Sequence, residues 1–328
     1  MKTNAIVRII LFSLAILVLV GILLAGFGFG MFMVNTKTSV TNKITNLPIA
    51  SDGTTTQTVA DADQIRNLDI AWVSGSIIIQ PDEHATDITV AETYVDAEKY
   101  RMVTEVSGNT LKIQYCQETI VFPSFGINVD FSKDLIITVP ADWACGSLDI
   151  DTASANLMVN DLDISEVEFD GASGTCDFVN CNVGELDMDG ASGDIKFSGT
   201  LNTLDFDGAS ASCYLEVTNV PDRITMDGMS GDLELTLPEE CGFTVSIDAM
   251  SSDFHCDFPT TTLGGNHVYG DGHCRISFSG MSGDLTIRKA SANSSHQDCT
   301  DPYCTIASHN HSDNCNDPTH DHSGHHGN

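Results

Sequence analysis

Positive charge is what this 328-residue chain has least of: 14 Lys and Arg stand against 46 Asp and Glu, giving a formal net charge of −32 and a pI near 4.2. Binding a polyanion requires clustered Lys and Arg that displace condensed counterions, so nucleic acid is excluded as a partner. The shortage is sharpest over residues 141–287, where 3 basic residues (Lys196, Arg223, Arg275) face 27 acidic ones. That segment repels anions. Aromatic residues are also few, 7%, whereas Gly (27), Ser and Thr are plentiful, which points to short strands and many turns. Hydrophobic residues nevertheless reach 41%, too many for a wholly disordered acidic chain, and a folded domain is expected.

Charge is absent altogether from residues 9–34, a run of 26 residues after Met1, Lys2 and Arg8. About 20 apolar residues cross a hydrocarbon core, so the run is read as a retained transmembrane signal-anchor helix. A cleaved signal peptide would need an apolar core of about 7–15 residues. Here Phe27, Phe29, Met31, Phe32, Met33 and Val34 continue past the small residues Ala25 and Gly26. No Cys lies in or just after the run, which excludes a lipid-modified cysteine anchor. Lys2 and Arg8 compete with Lys37 and Lys43 for the inner side. The favoured orientation has residues 1–8 cytoplasmic and the bulk of the chain outside the cell membrane. Residues 35–62, rich in Thr, Ser, Asn and Asp, read as a linker.

Downstream, the sequence repeats itself. The pattern appears as Phe169-Asp170-Gly171-Ala172-Ser173-Gly174, Met188-Asp189-Gly190-Ala191-Ser192-Gly193, Phe206-Asp207-Gly208-Ala209-Ser210-Ala211, Met226-Asp227-Gly228-Met229-Ser230-Gly231 and Ile247-Asp248-Ala249-Met250-Ser251-Ser252. Weaker copies stand at 150–154 and 278–283, and from Ser154 the serines step by 19, 19, 18, 20, 21 and 31 residues. Apolar residues two apart precede each Ser (Leu186 and Met188; Leu204 and Phe206) and follow it (Ile195 and Phe197; Leu233 and Leu235). Each pair marks a strand with one buried face. Two such strands in every ~20 residues predict an all-β fold: a β-solenoid of about seven coils stacked at ~4.8 Å over 63–289. An antiparallel meander or sandwich is the rival. Alternating stretches at 88–95, 100–106 and 110–117, with a hairpin turn at Ser107-Gly108-Asn109, are expected to form an N-terminal β cap.

The strand ending in Pro140, the following Leu148-Asp149-Ile150-Asp151, the Ser-Gly-Asp repeats at Ser192, Ser230 and Ser282, and the closing Gly270-Asp271-Gly272-His273-Cys274-Arg275-Ile276 carry a resemblance. Over about 65–289 the chain resembles the adhesin-like family of bacterial β-strand-repeat envelope proteins, a domain of unknown function. The resemblance implies a β-strand-repeat fold, an envelope location and suspected adhesion. It implies no catalytic residue.

Stacked in register, Asp170, Asp189, Asp207, Asp227 and Asp248 would form an outward ladder, with Glu168, Asp187 and Asp205 beside it. Like charges ~4.8 Å apart repel by roughly 1 kcal/mol per neighbour even in water. Two offsets are open: turn hydrogen bonds from backbone N–H groups to each Asp, or Ca²⁺ or Mg²⁺ bridging the carboxylates. The nine-residue Gly- and Asp-rich pattern of calcium-binding solenoids is missing. Repetition of identical acids argues against one special pair for sugar hydrolysis. The repeated Ser lacks a nucleophile-elbow setting and a singular His partner, so it reads as a turn residue.

Eleven Cys in an exported chain suggest disulfides. However, Cys176, Cys213 and Cys256 fall in buried columns where other units carry Ile, Leu or Phe, which favours free apolar thiols. Cys176 and Cys213 would lie two coils apart, too far to bridge. Cys176 with Cys181, and Cys241 with Cys274, stay open as pairs. Residues 290–328 form a tail with 7 of the 11 His and 3 of the 11 Cys, and Ile306 as its one large aliphatic side chain. It is expected to be disordered. Its Cys299, Cys304, His309, His311, Cys315, His320, His322, His325 and His326 suit Zn²⁺, Ni²⁺ or Cu at short spacings that match no zinc finger. His267, Asp271, His273 and Cys274 form a weaker candidate cluster.

These features predict a single-pass, envelope-anchored, non-catalytic solenoid, adhesin-like or structural, requiring no cofactor. Its partners would be the membrane, through its one N-terminal span, and envelope components or surface ligands. The alternative is an extracytoplasmic metal-binding or buffering protein acting through the tail; a polysaccharide-active enzyme is third.

Overall fold

A computed structural model of the protein describes residues 54–59, 62–93, 101–116 and 132–290. The predicted span at 9–34 and the tail from Ser291 onward lie outside the described residues. Among these residues no helix is long and apolar enough to cross a membrane.

The strands are, in chain order, β1 (Thr54–Val59), β2 (Asn67–Asp82), β3 (Ile88–Thr93), β4 (Val103–Ser107), β5 (Thr110–Gln114), β6 (Leu135–Pro140), β7 (Cys145–Asn160), β8 (Asp163–Gly171), β9 (Cys176–Ser192) and β10 (Ile195–Ser210). They continue as β11 (Cys213–Val217), β12 (Arg223–Ser230), β13 (Leu233–Leu237), β14 (Phe243–Ser251), β15 (Phe254–Cys256), β16 (Thr261–Leu263), β17 (Asn266–Tyr269), β18 (Cys274–Ser282) and β19 (Leu285–Lys289). All belong to one sheet wound into a parallel solenoid. β1 is an addition to the expected architecture. It falls in the stretch read as linker, where the alternation of Thr55, Gln57 and Val59 buries one face against antiparallel β3.

Each level has a strand before the Asp-Gly corner and a strand after it, and both stack in register on their counterparts. Before the corner, Leu148, Val167, Leu186, Leu204, Ile224 and Ile276 form one buried column, and Ile150, Phe169, Met188, Phe206, Met226 and Phe278 the next. After it, Leu157, Cys176, Ile195, Cys213, Leu233 and Leu285 stack in the same way. The corner itself selects glycine. Gly193 has φ +135°, and a Cβ there would stand 1.8 Å from the carbonyl oxygen of Gly174 in the level below. Gly174, Gly231 and Gly283 repeat the same close approach.

The levels do not follow chain order at the C-terminal end. β18 lies between β12 and β14, and β19 between β13 and β15. The chain leaves a gap one level wide after β13, forms β14 and β15, returns through the antiparallel β16–β17 hairpin, and fills the gap last. The 31-residue step between Ser251 and Ser282 is this return.

At the other end, the first half of β2 lies between β5 and β7, and its second half between β6 and β7. β4 and β5 form a hairpin closed by Gly108 and Asn109. The end encloses an ion pair that the sequence did not reveal. Lys133 Nζ lies 2.6 Å from Glu92 Oε2, with side chains 1% and 0% exposed. The ammonium sits 4.7 Å from the Trp72 ring centre and 4.2 Å from that of Tyr115, both Glu92 oxygens accept from the Met102 N–H at 3.0 Å, and Trp72 Nε1 donates to the Lys133 carbonyl.

Candidate functional site

The outward residues of the strands before the corner make an acidic wall. One column reads Asp151, Asp170, Asp189, Asp207, Asp227, each in register with the next. Beside it run Asp69, Asp149, Glu168, Asp187 and Asp205. A shorter third column holds Glu166 and Glu185. Strand pleating puts all three on one face, because the intervening residues point into the core. Asp248 occupies the same column as Asp227 but does not touch it in register, since Ser279 comes between. The expected ladder therefore gains Asp151 at one end and is interrupted at the other.

Basic side chains stand at the margins. Lys112 bonds Asp69 at the N-terminal end, and this partner holds the Lys112 ammonium above its ordinary range. At the opposite end Arg223 Nη1 lies 3.3 Å from Asp205 Oδ2, and Arg223 stacks in register with Arg275. Between these margins no basic side chain among the described residues forms an ion pair with the wall. Desolvation within the crowded wall, followed by neighbouring carboxylates, pushes Asp151 and Asp189 up to about 6. The same causes raise Asp149, Glu168, Asp170 and Asp207. Desolvation and the Asp205 charge raise Asp187 and Asp227.

Within the wall Asp187 accepts from the Met188 N–H; the turn hydrogen bonds that join one level to the next fall on a different set of acids. Asp194 Oδ1 accepts from the Ser212 N–H, Asp232 Oδ1 from the Asp284 N–H at 2.8 Å, and Asp284 Oδ1 from the Asp253 N–H at 2.9 Å. These are the Asp residues of the Ser-Gly-Asp repeats. Each carboxylate satisfies a backbone donor of the next level, so this column staples the corner. The sequence marks this column by the Asp two places after Ser192, Ser230 and Ser282.

The weaker His and Cys cluster is not brought together. His267 stacks on Phe254 with ring centres 4.6 Å apart, His273 Nε2 lies 3.1 Å from Asp222 Oδ1, and Cys274 is buried. Among the described residues no three His, Cys, Asp or Glu side chains are grouped as a metal set. The tail ligands Cys299, Cys304, His309, His311, Cys315, His320, His322, His325 and His326 lie outside the described residues. Cys145, Cys176, Cys181, Cys213, Cys241, Cys256 and Cys274 are free thiols. Cys176 and Cys213 are separated in register by Ile195, two levels apart as expected.

Residues 65–203 match the protein family described as Toastrack DUF4097. This segment is a Toastrack DUF4097 domain. The registered levels of the solenoid run on beyond the matched segment, through β12, β18 and β14. No curated protein matches the chain. Similar solved structures include a candidate cell adhesion protein from Clostridium sporogenes (10% identity, 72% of this chain and 99% of that one, TM-score 0.32). Two others are a candidate adhesin from Bacteroides fragilis (14%, 73% and 98%, TM-score 0.35) and a candidate lipid-binding protein from Parabacteroides distasonis (15%, 74% and 98%, TM-score 0.27).

Proposed function

We propose that this protein, with its Toastrack-like segment, is a non-catalytic, adhesin-like binding element at the cell envelope, anchored by residues 9–34 and presenting its acidic wall to cationic partners. The observation that carries this reading is the wall itself. Three columns of carboxylates lie in register with bases only at their margins. Repeated charge on a stiff sheet creates a field that falls off with distance and salt rather than a point of chemistry. It recognises a positively charged surface by opposite charge along its length. Mobile cations occupy the wall when no partner does.

The test is binding of the full chain, in mild detergent, to immobilised polylysine and to dextran sulfate. Binding to polylysine that weakens steeply with salt, and is lost in the triple variant Asp170→Asn, Asp189→Asn, Asp207→Asn, supports the reading. Equal retention of wild type and variant overturns it. Protease accessibility of the solenoid on intact cells tests the envelope placement independently.

A further inference from the structure

The strands after the corner carry an outward face of their own, and it does not resemble the wall. Met158, Asp177, Lys196, Tyr214 and Glu234 stack in register across β7, β9, β10, β11 and β13. Acid, base and aromatic ring follow one another where the wall repeats a single acid. A second outward column holds Ser198, Glu216 and Thr236. The groove lined by both columns has a volume of about 390 Å³ and a floor of Phe178, Phe197 and Leu215, whose side chains are buried in the core.

Three side chains in and around this groove lack the partners that their chemistry calls for. Asp177 Oδ1 is shut off from water and has no hydrogen-bond partner among the described residues. A carboxylate oxygen held in that state is costly unless a donor reaches it. Lys196 is exposed and forms no ion pair among the described residues. The Tyr214 ring is 40% exposed, and Met158 and Val179 at the groove's edge are exposed to the same extent. An orphaned acceptor, a free donor and an open aromatic face thus meet within adjacent levels.

The surroundings narrow what can satisfy them. Every strand lining the groove has a strand partner on both sides, so its ladder N–H and C=O groups are spent and a peptide cannot add as a further strand. The charges are mixed, with Lys196 among Asp177 and Glu216, while Glu234 is held by Arg288 at 2.6 Å. A polycation meets Lys196 here and has the wall on the strands before the corner; a polyanion is repelled by a chain of net charge −32. An acyl chain would leave these polar side chains desolvated and unpaired. The chemistry that remains is a neutral molecule rich in hydroxyl groups, which both donate and accept, with an apolar C–H face for the aromatic ring.

We propose that the groove across β9, β10, β11 and β13 is a binding site for a neutral oligosaccharide. One sugar ring lies on the face of Tyr214, a hydroxyl donates to Asp177 Oδ1, and the Lys196 ammonium donates to a sugar oxygen. Met158 and Lys196 flank Asp177 in register, and both are long and unbranched, so they swing aside to admit the hydroxyl. The site is separate from the acidic wall and does not depend on it.

The test is isothermal titration calorimetry of the full chain, in a mild detergent without a sugar headgroup, against cellotetraose, mannotetraose and N-acetylated chitotetraose. Saturable binding of at least one of them is expected. Tyr214→Ala should weaken it by roughly tenfold, the worth of one stacked ring, and Tyr214→Phe, which keeps the ring, should retain it. Asp177→Ala should weaken binding too, yet leave the thermal midpoint of the free chain unchanged or higher, because it removes an unpaired buried oxygen. The wall variant Asp170→Asn, Asp189→Asn, Asp207→Asn should bind the sugar as wild type does. No saturable binding of any of the three overturns the proposal, as does full binding by Tyr214→Ala. A lowered midpoint for Asp177→Ala overturns the role of Asp177, since its carboxylate then already has a partner. Loss of sugar binding in the wall variant would move the site to the wall, and equal binding of tetragalacturonate, which adds carboxylates to the same hydroxyl groups, would overturn the neutral ligand.

Discussion

Asp227 stacks on Ser279, not on Asp248: the serine interrupts the carboxylate column one level before its last acid. Like charges directly opposite one another in a sheet are destabilising by about 0.2–1 kcal/mol, so this break limits how far repulsion accumulates. Replacing Ser279 by Asp should join the two parts of the column and lower the thermal midpoint. Asp189→Asn, which removes a charge with carboxylates on both sides, should raise it. Differential scanning calorimetry at low salt checks both signs, and both effects should shrink as salt is added.

The wall also sets a pH dependence. Asp151 and Asp189 titrate in the folded chain at about 6 against an ordinary value of 3.8, so the folded state holds their protons more tightly than the unfolded state does. Their stabilising contribution is complete below about 3.8 and is lost as pH rises through 6. Mild acidification from neutrality to about pH 5 should therefore stabilise the domain, contrary to the usual behaviour of salt-bridged carboxylates. Both side chains reach solvent, which screens the effect, so a rise of about 2–4 °C in the thermal midpoint is expected for ~1 kcal/mol. The double variant Asp151→Asn, Asp189→Asn should lose most of that rise; an equal rise in the variant would place its origin elsewhere.

The repeat made the registered columns legible, because alternation of Leu204, Phe206 and their equivalents states both the strand and its buried face. It could not show that β18 fills a gap beneath β14. A one-dimensional pattern gives the levels but not their order when a hairpin intervenes, so the repeat alone sets Asp248 next to Asp227. The partner of each acid was also hidden. Asp in Asp-Gly and Asp in Ser-Gly-Asp look alike in sequence, yet only the second set points along the stack to a backbone N–H. Lys133 and Glu92 are 41 residues apart, and nothing local marks either of them as buried.

Thiol chemistry follows from burial. Desolvation raises Cys176 and Cys213 far above the ordinary thiol range and pushes Cys145 and Cys274 up to about 12, so little thiolate exists at neutral pH. Cys241 and Cys256 are only half-buried. In the native chain, alkylation of the solenoid should therefore begin at Cys241 and Cys256, and Cys176 and Cys213 should react on the timescale of unfolding. Peptide mapping after timed iodoacetamide treatment reads this order directly. Early labelling of Cys213 would show that the core column opens locally.

Two glycines with positive φ should respond differently to alanine. At Gly193 a Cβ would collide with the Gly174 carbonyl oxygen, part of the rigid level below. At Gly108, φ +64° at the β4–β5 turn, a Cβ meets nothing within 4 Å. Gly108→Ala should cost about 1 kcal/mol, the price of a left-handed conformation alone. Gly193→Ala adds a backbone clash and should cost well over ~2 kcal/mol. Urea titration compares them. Equal costs would mean that the stack relaxes at its corners, and the tight approach would not be what selects glycine there.

The Lys133–Glu92 pair makes the sharpest energetic prediction, because both charges are sealed from water and each is held by the other. Burial raises the Glu92 carboxyl and lowers the Lys133 ammonium, while their contact opposes both shifts. Removing one member leaves the other charged and dry, at a cost of about 3–5 kcal/mol. Lys133→Met should show that cost in urea unfolding, even though a methionine packs well between Trp72 and Tyr115. In the double variant Lys133→Met, Glu92→Gln no charge is stranded, and the amide oxygen can still accept from the Met102 N–H. The double variant should therefore be more stable than Lys133→Met alone, a non-additivity that a double-mutant cycle measures. A loss below ~1 kcal/mol for Lys133→Met would mean that water reaches Glu92 and that the N-terminal end is not closed.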